Sequence, residues 1–235
     1  MSRTATCAAV AVLFLYFTLA PGSYAGTITD NFNDNSLNTA IWGTGVYPSG
    51  GPGSVTETNQ RIEMVMPANT GSYTVYLTPL FQIGGDFDLQ IDYALLAPLT
   101  GDDSFTIDWS PGIANIFVGR TSGAYGAEFG SGGPVFSVPT LDVSGTLRLT
   151  RTGATYSGYF WNGTGWQLIG SISNGSTSDS MSILGLGGQS GGQVALDNFY
   201  LNADRLTSTV PEPTGFLLSA GALLGGLLAR KFAYT

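Results

Sequence analysis

The segment Phe87-Asp88-Leu89-Gln90-Ile91-Asp92-Tyr93-Ala94-Leu95 alternates apolar and polar residues. Side chains of an extended chain point to opposite faces in turn. This pattern therefore sets Phe87, Leu89, Ile91, Tyr93 and Leu95 on one side of a sheet and Asp88, Gln90, Asp92 and Ala94 on the other. Short segments of the same kind recur between Gly26 and Thr209, and no helical period longer than two turns runs there. Repeated short strands bounded by Gly, Pro, Asn and Ser predict an all-β domain, built as a sandwich or barrel.

Taken in order, residues 55–58 and 61–66 form a hairpin across Asn59-Gln60. Strands follow at 72–77, 87–95, 105–109, 113–120, 125–129 and 133–138. In residues 145–151, Leu147 and Leu149 point inward while Arg148 and Thr150 point out. Residues 155–161 and 166–171 are joined by Asn162-Gly163-Thr164-Gly165, where Asn-Gly supplies the positive φ of a tight hairpin. Strands at 181–187 and 193–201 close the domain. Near its start, the Asn/Asp/Ser cluster at 33–38 is turn chemistry, and Leu37, Ile41 and Trp42 pack that turn onto the body. Residues 43–53 read as a Gly/Pro-rich loop. The domain is expected over 26–203, with a polar linker at 204–209.

The composition excludes several kinds of chemistry. The chain has no histidine, which removes Ser-His-Asp and Cys-His catalysis, histidine metal sites and the usual near-neutral proton carrier. The only cysteine, Cys7, precedes the domain, so the domain holds no disulfide and no thiolate nucleophile. Lysine occurs only at Lys231, and the net charge is −8, so the basic footprint of a nucleic-acid binder is absent. A hydrophobic content of 43% supports a packed core of its own.

Both ends read as targeting segments. Arg3 is a positive n-region, residues 5–20 are apolar, and Pro21-Gly22 breaks the run. Ser23-Tyr24-Ala25 offers small residues at −3 and −1, so residues 1–25 form a signal peptide cleaved after Ala25. At the other end, Val210-Pro211-Glu212-Pro213 is extended, because each proline fixes φ and disfavours helix in the residue before it. Residues 214–232 form an apolar helix that spans a membrane with the basic side chains reaching out of it. Arg230 and Lys231 hold the cytoplasmic side.

The order Val210-Pro211-Glu212-Pro213, apolar helix, Arg230-Lys231, chain end resembles the PEP-CTERM sorting domain over residues 210–235. The resemblance implies export by a Gram-negative bacterium, a transient hold in the inner membrane and recognition by an exosortase-like membrane protease. It also implies a final place at the cell surface or in an extracellular polysaccharide matrix.

The domain has a resemblance of its own. The opening run from Asp30 to Trp42, the run from Leu147 to Trp166 and the closing Ala195-Leu196-Asp197-Asn198-Phe199-Tyr200 are together similar to the concanavalin A-like lectin/glucanase, or LamG-like, sandwich. That implies an antiparallel two-sheet jelly roll with its terminal strands adjacent, and Asp-Asn-Phe, repeated at Asp30 and Asp197, suits two neighbouring strands. It also implies one Ca²⁺ near the chain ends, for which Asp34 and Asp197 are the candidate ligands, with Asp102-Asp103 a further pair. No other cofactor is expected.

Enzymes of this fold use two carboxylates on one strand face. Alternate positions point the same way, so Glu-x-Asp-x-Glu is the spacing to look for. Here Asp86, Asp88 and Asp92 come nearest, and Glu57, Glu63 and Glu128 are isolated. The expectation is a structural, adhesive or glycan-binding module and not an enzyme, with a degenerate β-glucanase-like hydrolase as the alternative. Glycans stack on exposed aromatic faces, and Trp109, Tyr125, Trp161 and Trp166 are the candidate contacts.

Overall fold

The computed structural model describes residues 23–68, 71–109, 116–121, 127–131, 134–175, 180 and 182–208. The leader before Ser23 and the tail, with Val210, Pro211, Glu212, Pro213, Arg230 and Lys231, lie outside the described residues. No helix long and apolar enough to cross a membrane occurs among the described residues.

Fifteen strands are described: β1 (Ser23–Asp30), β2 (Trp42–Tyr47), β3 (Ser54–Thr58), β4 (Arg61–Met66), β5 (Tyr73–Pro79), β6 (Phe81–Ala97), β7 (Ser104–Trp109), β8 (Ile116–Thr121), β9 (Ala127–Ser131), β10 (Pro134–Val138), β11 (Ser144–Thr152), β12 (Thr155–Trp161), β13 (Trp166–Ser173), β14 (Ser182–Gly188) and β15 (Gly192–Ser208). One sheet runs β13-β12-β11-β6-β15-β4-β3, with β1 also on β15, and the other runs β10-β9-β8-β7-β14-β5-β2. Every strand pairing is antiparallel. This is the expected two-sheet sandwich of jelly-roll type.

The alternation in β6 is realised: Phe87, Leu89, Ile91 and Tyr93 are buried between the sheets, while Asp88, Gln90 and Asp92 face outward. Leu147 and Leu149 of β11 join them, facing Phe105, Ile107 and Trp109 of β7 and Leu184 and Leu186 of β14. The predicted hairpin β3–β4 turns at Asn59 and Gln60, both with positive φ. In the turn between β12 and β13, the Asn162 side-chain oxygen accepts the N–H groups of Thr164 and Gly165.

The repeated Asp-Asn-Phe does fall on neighbouring strands. β1 pairs with β15, and Asp30 is opposite Phe199. Phe32 and Phe199 both pack on Trp42, with ring centroids 5.6 and 4.8 Å away. The Trp42 indole N–H donates to Asp30 Oδ2 at 2.8 Å, and Asp30 Oδ1 accepts the Phe32 N–H at 2.9 Å. A buried indole nitrogen needs such a partner.

Two expectations are corrected. Residues 42–47 are a strand and not loop: β2 lies at the edge of the seven-stranded sheet beside β5. Its outward residues Gly43 and Gly45 hide the strand pattern, and the ring of Tyr76 lies across Gly45, where a side chain would collide with it. The linker expected at 204–209 is in fact strand through Ser208. A register shift between Ala203 and Arg205 moves the inward phase by one residue, so Leu206 is buried where strict alternation from Ala203 would point it out. Ala25, after which cleavage is expected, lies within β1, at a register shift between Tyr24 and Gly26.

Candidate functional site

The outer face of the seven-stranded sheet is built from the non-core residues of its strands. One row crosses six strands in ladder order: Glu128, Gly119, Thr106, Gly185, Tyr76 and Gly45. A second row places Asp108 between Phe117 and Ile183, and a third contains Thr121, Ser104, Gly187 and Thr74. Glycine inside a strand weakens it and marks places where another group approaches closely. A Cβ on Gly119 would meet the Phe105 carbonyl oxygen at 2.6 Å, and one on Gly185 would meet Thr74 Cγ2 at 3.2 Å. The middle of this face is thus a floor of small residues edged by two carboxylates and a tyrosine.

Asp108 stands on β7, the central strand of the sheet. Burial pushes its carboxyl pKa up, and the Thr106 hydroxyl, donating to Oδ2 at 2.6 Å, opposes that only partly. Glu128, on β9, is also pushed up by burial. Desolvation disfavours the charged form of a carboxyl group. Both acids therefore hold a proton to higher pH than an exposed carboxylate, on a face with no basic side chain among the residues of its three rows. Ser104, Thr106 and Asp108 occupy alternate positions of one strand, so this face carries the alternate-position arrangement with a single carboxylate in it.

Sequence reasoning looked for that arrangement on β6 and missed Asp108. Asp88, Gln90 and Asp92 lie on the outer face of the other sheet. There Arg148 binds Asp88 through two hydrogen bonds, Nε to Oδ1 at 2.8 Å and Nη2 to Oδ2 at 2.7 Å, and Gln90 Nε2 donates to Asp88 Oδ1. Asp92 accepts from Thr146 Oγ1 and Asn198 Nδ2. These carboxylates are engaged in structure. The signal that could have found Asp108 is the alternation of Ser104-Phe105-Thr106-Ile107-Asp108-Trp109, which matches that of residues 87–95.

The proposed aromatic contacts separate. Trp109 is fully buried between the sheets, so its ring offers no stacking surface in this fold. Trp161 and Trp166 face each other across β12 and β13 on the outer face of the eight-stranded sheet, each 37% exposed, with ring centroids 5.5 Å apart. The Arg148 guanidinium lies 5.3 Å from the Trp166 ring. Tyr125 lies outside the described residues.

The candidate calcium ligands are held apart from one another in bonding. Asp34 Oδ1 accepts the Ser36 N–H, and its carboxyl hydrogen-bonds Glu57, whose pKa is raised by burial and by that contact. Asp197 is the ladder partner of Asp92, and its Oδ1 accepts the Asn198 N–H. Asp102 and Asp103 accept the N–H groups of Gln189, Ser190 and Thr100, which ties two loops together. No group of three or more ligating side chains placed to hold a metal occurs among the described residues. A cleft of about 440 Å³ lies where β4 gives way to β1 beside β15, lined by Thr29, Asp30, Asn31, Asn198, Phe199 and Tyr200. Its carboxylate, Asp30, is already engaged by Trp42 and Phe32.

No protein-family model and no curated protein matches the chain. Solved structures do. A Bacillus licheniformis beta-glucanase shares 12% identity at a TM-score of 0.56, over 78% of this chain and 98% of that one. A protein from work on endo-acting O-glycanases of the human gut microbiota shares 14% at 0.54, over 75% and 98%. A Bauhinia forficata lectin in complex with GalNAc shares 11% at 0.51, over 79% and 100%. The expectation that the domain is not an enzyme does not stand. It rested on the spacing along β6, whereas the structures of this shape include glycanases beside the lectin. At these identities the likeness speaks for architecture, and the chain has the fold of the concanavalin A-like lectin and glucanase sandwiches.

Proposed function

We propose that the domain is a carbohydrate-active sandwich that binds an extracellular polysaccharide along the outer face of the seven-stranded sheet and cleaves it there. The observation that carries this reading is Asp108, a carboxyl group on the central strand of this face whose pKa is raised by burial. Cleaving a glycosidic bond needs an acid to protonate the leaving oxygen and a second carboxylate to act on the sugar or on water. Asp108 supplies the proton. Glu128 is two strands away and one row over, a backbone separation of roughly 12 Å, too wide for the close carboxyl pair of retention, so inversion is the outcome expected if both act. Export through the leader and sorting through Val210-Pro211-Glu212-Pro213 by an exosortase-like protease bring the domain to its polymer.

The test is to incubate the protein with β-1,3-1,4-glucan, mucin glycans and bacterial exopolysaccharide and to count new reducing ends. At least one polymer should be cut. Asp108→Asn should slow the reaction by about 100-fold or more, the usual contribution of a general acid. The rate should fall as pH rises through the elevated Asp108 pKa, since the acid must carry its proton. A second reading, glycan binding without cleavage, is favoured by Ser104 and Thr106, which stand where further carboxylates would be needed. It predicts that a polymer retards the protein in affinity electrophoresis while no reducing ends form. Absence of both effects overturns the proposal.

A further inference from the structure

Arg151 points inward from the end of β11, and its side chain is buried between the sheets. Its ladder partners are Phe87 and Tyr156, both buried, and Trp109 faces it from the other sheet. The guanidinium carbon lies 5.7 Å from the Trp109 ring and 5.5 Å from the Tyr156 ring. The three rings also pack on one another, with centroids 5.1 to 6.4 Å apart. This is an aromatic cage around a cation. Arg151 Nε donates to the Gly153 carbonyl at 2.9 Å, and no carboxylate forms an ion pair with Arg151 among the described residues.

Three polar groups here lack a hydrogen-bond partner among the described residues: Arg151 Nη1, Trp109 Nε1 and Ser182 Oγ. They belong together. Ser182 is the ladder partner of Trp109, and both side chains point into the sandwich. A buried charge without a counter-charge is costly, and so is each buried donor without an acceptor. A water could accept from Arg151 and Trp109 and donate to Ser182 Oγ, but it would leave the guanidinium charge uncompensated. An anion accepts from all three and neutralises the guanidinium.

We propose that the end of the sandwich holds a small monovalent anion of chloride size, bound by Arg151 Nη1, Trp109 Nε1 and Ser182 Oγ. Trp109 follows Asp108 on β7, so the anion braces the strand that carries the candidate acid, from the opposite face.

The test uses the purified full-length protein in sodium chloride and in sodium gluconate at equal ionic strength. Chloride should raise the melting temperature in a saturable way and gluconate should not, because only a bound ligand stabilises with its own concentration dependence. Iodide, replacing chloride, should quench the fluorescence of a buried tryptophan. Arg151→Met should abolish the difference between the two salts. Ser182→Ala keeps the cation and the fold, and should shift the half-saturating chloride concentration upward by about tenfold, as expected for one lost hydrogen bond to a charged group. Equal melting temperatures of the parent protein in chloride and gluconate would overturn the proposal. So would an undiminished chloride effect in either variant. If Arg151→Met does not fold, Ser182→Ala alone decides.

Discussion

Asp108 shows how one residue couples stability to pH. Its folded-state pKa lies above the ordinary value of 3.8, because burial penalises the charged form. Below that ordinary value the carboxyl is protonated in both folded and unfolded chains and makes no difference. As pH rises, the unfolded chain ionises first while the fold still holds the proton, so stability is lost until the folded pKa is passed. Asp108→Asn should therefore leave the urea midpoint unchanged near pH 3 and raise it at pH 7. A midpoint lower than the parent's at both values would mean that the carboxylate is stabilising. None of this was legible along the chain. The residues flanking Asp108 across the ladder are Phe117 and Ile183, and Ile183 is far away in sequence. Asp88 and Asp92 are the opposite case: the sequence placed them correctly on an outer face, and their partners Arg148, Thr146 and Asn198 came from strands that it could not align.

At the scale of elements, regular alternation was readable and interrupted alternation was not. β4 and β12 fall where the pattern puts them. β15 extends seven residues beyond the predicted end at Leu201, and register shifts along it change which residues point inward. The shift after Asp197, where Asn198 has positive φ, brings Phe199 and Leu201 to the core; the one between Ala203 and Arg205 brings in Leu206. The predicted strand ends before this last shift, where the alternation from Leu201 breaks. The tail end of β15 pairs with the start of β6, from Gly84 back to Phe81. Ending the chain after Ala203 should therefore remove these pairs and the burial of Leu206, which is worth about 2 kcal/mol. A fall in melting temperature of roughly 5 °C or more should follow, whereas ending it after Ser208 should leave the temperature unchanged. Equal melting temperatures for the two truncations would make residues 204–208 the linker first expected.

At the scale of the whole molecule, the two faces of the sandwich differ in charge. Arg61 and Arg148 lie on the outer side of the eight-stranded sheet, whereas the three rows of the seven-stranded face hold carboxyl groups and no cation. A neutral polymer fits the second face better than an anionic one, since like charges across an interface repel. The ends of the molecule carry the export proposal. Cleavage after Ala25 would cost β1 only the pairs of Ser23 and Tyr24, beyond the register shift, and leave the pairing from Gly26 onward. Intact-mass measurement of protein from culture medium should therefore find a species beginning at Gly26 and ending between Val210 and Thr214, and Glu212→Ala should prevent its release. Full-length protein confined to the membrane fraction would reduce the tail to a plain anchor.

Sequence by itself determined the class of fold, because a period of two admits only strands. It also left the domain without histidine or thiol chemistry, since the chain has no histidine and its only cysteine is Cys7. It joined the two ends of the domain through the repeated Asp-Asn-Phe, which the structure places on adjacent strands against Trp42. Only the tertiary structure decided which residues share a face. Gly119 and Gly185 come from distant strands and flank Thr106 on one floor only through the register of antiparallel ladders. The same ladders bury Trp109, expose Trp161 and Trp166, neutralise Asp88 and desolvate Asp108. Register is a property of pairs of strands, and no single strand's pattern contains it.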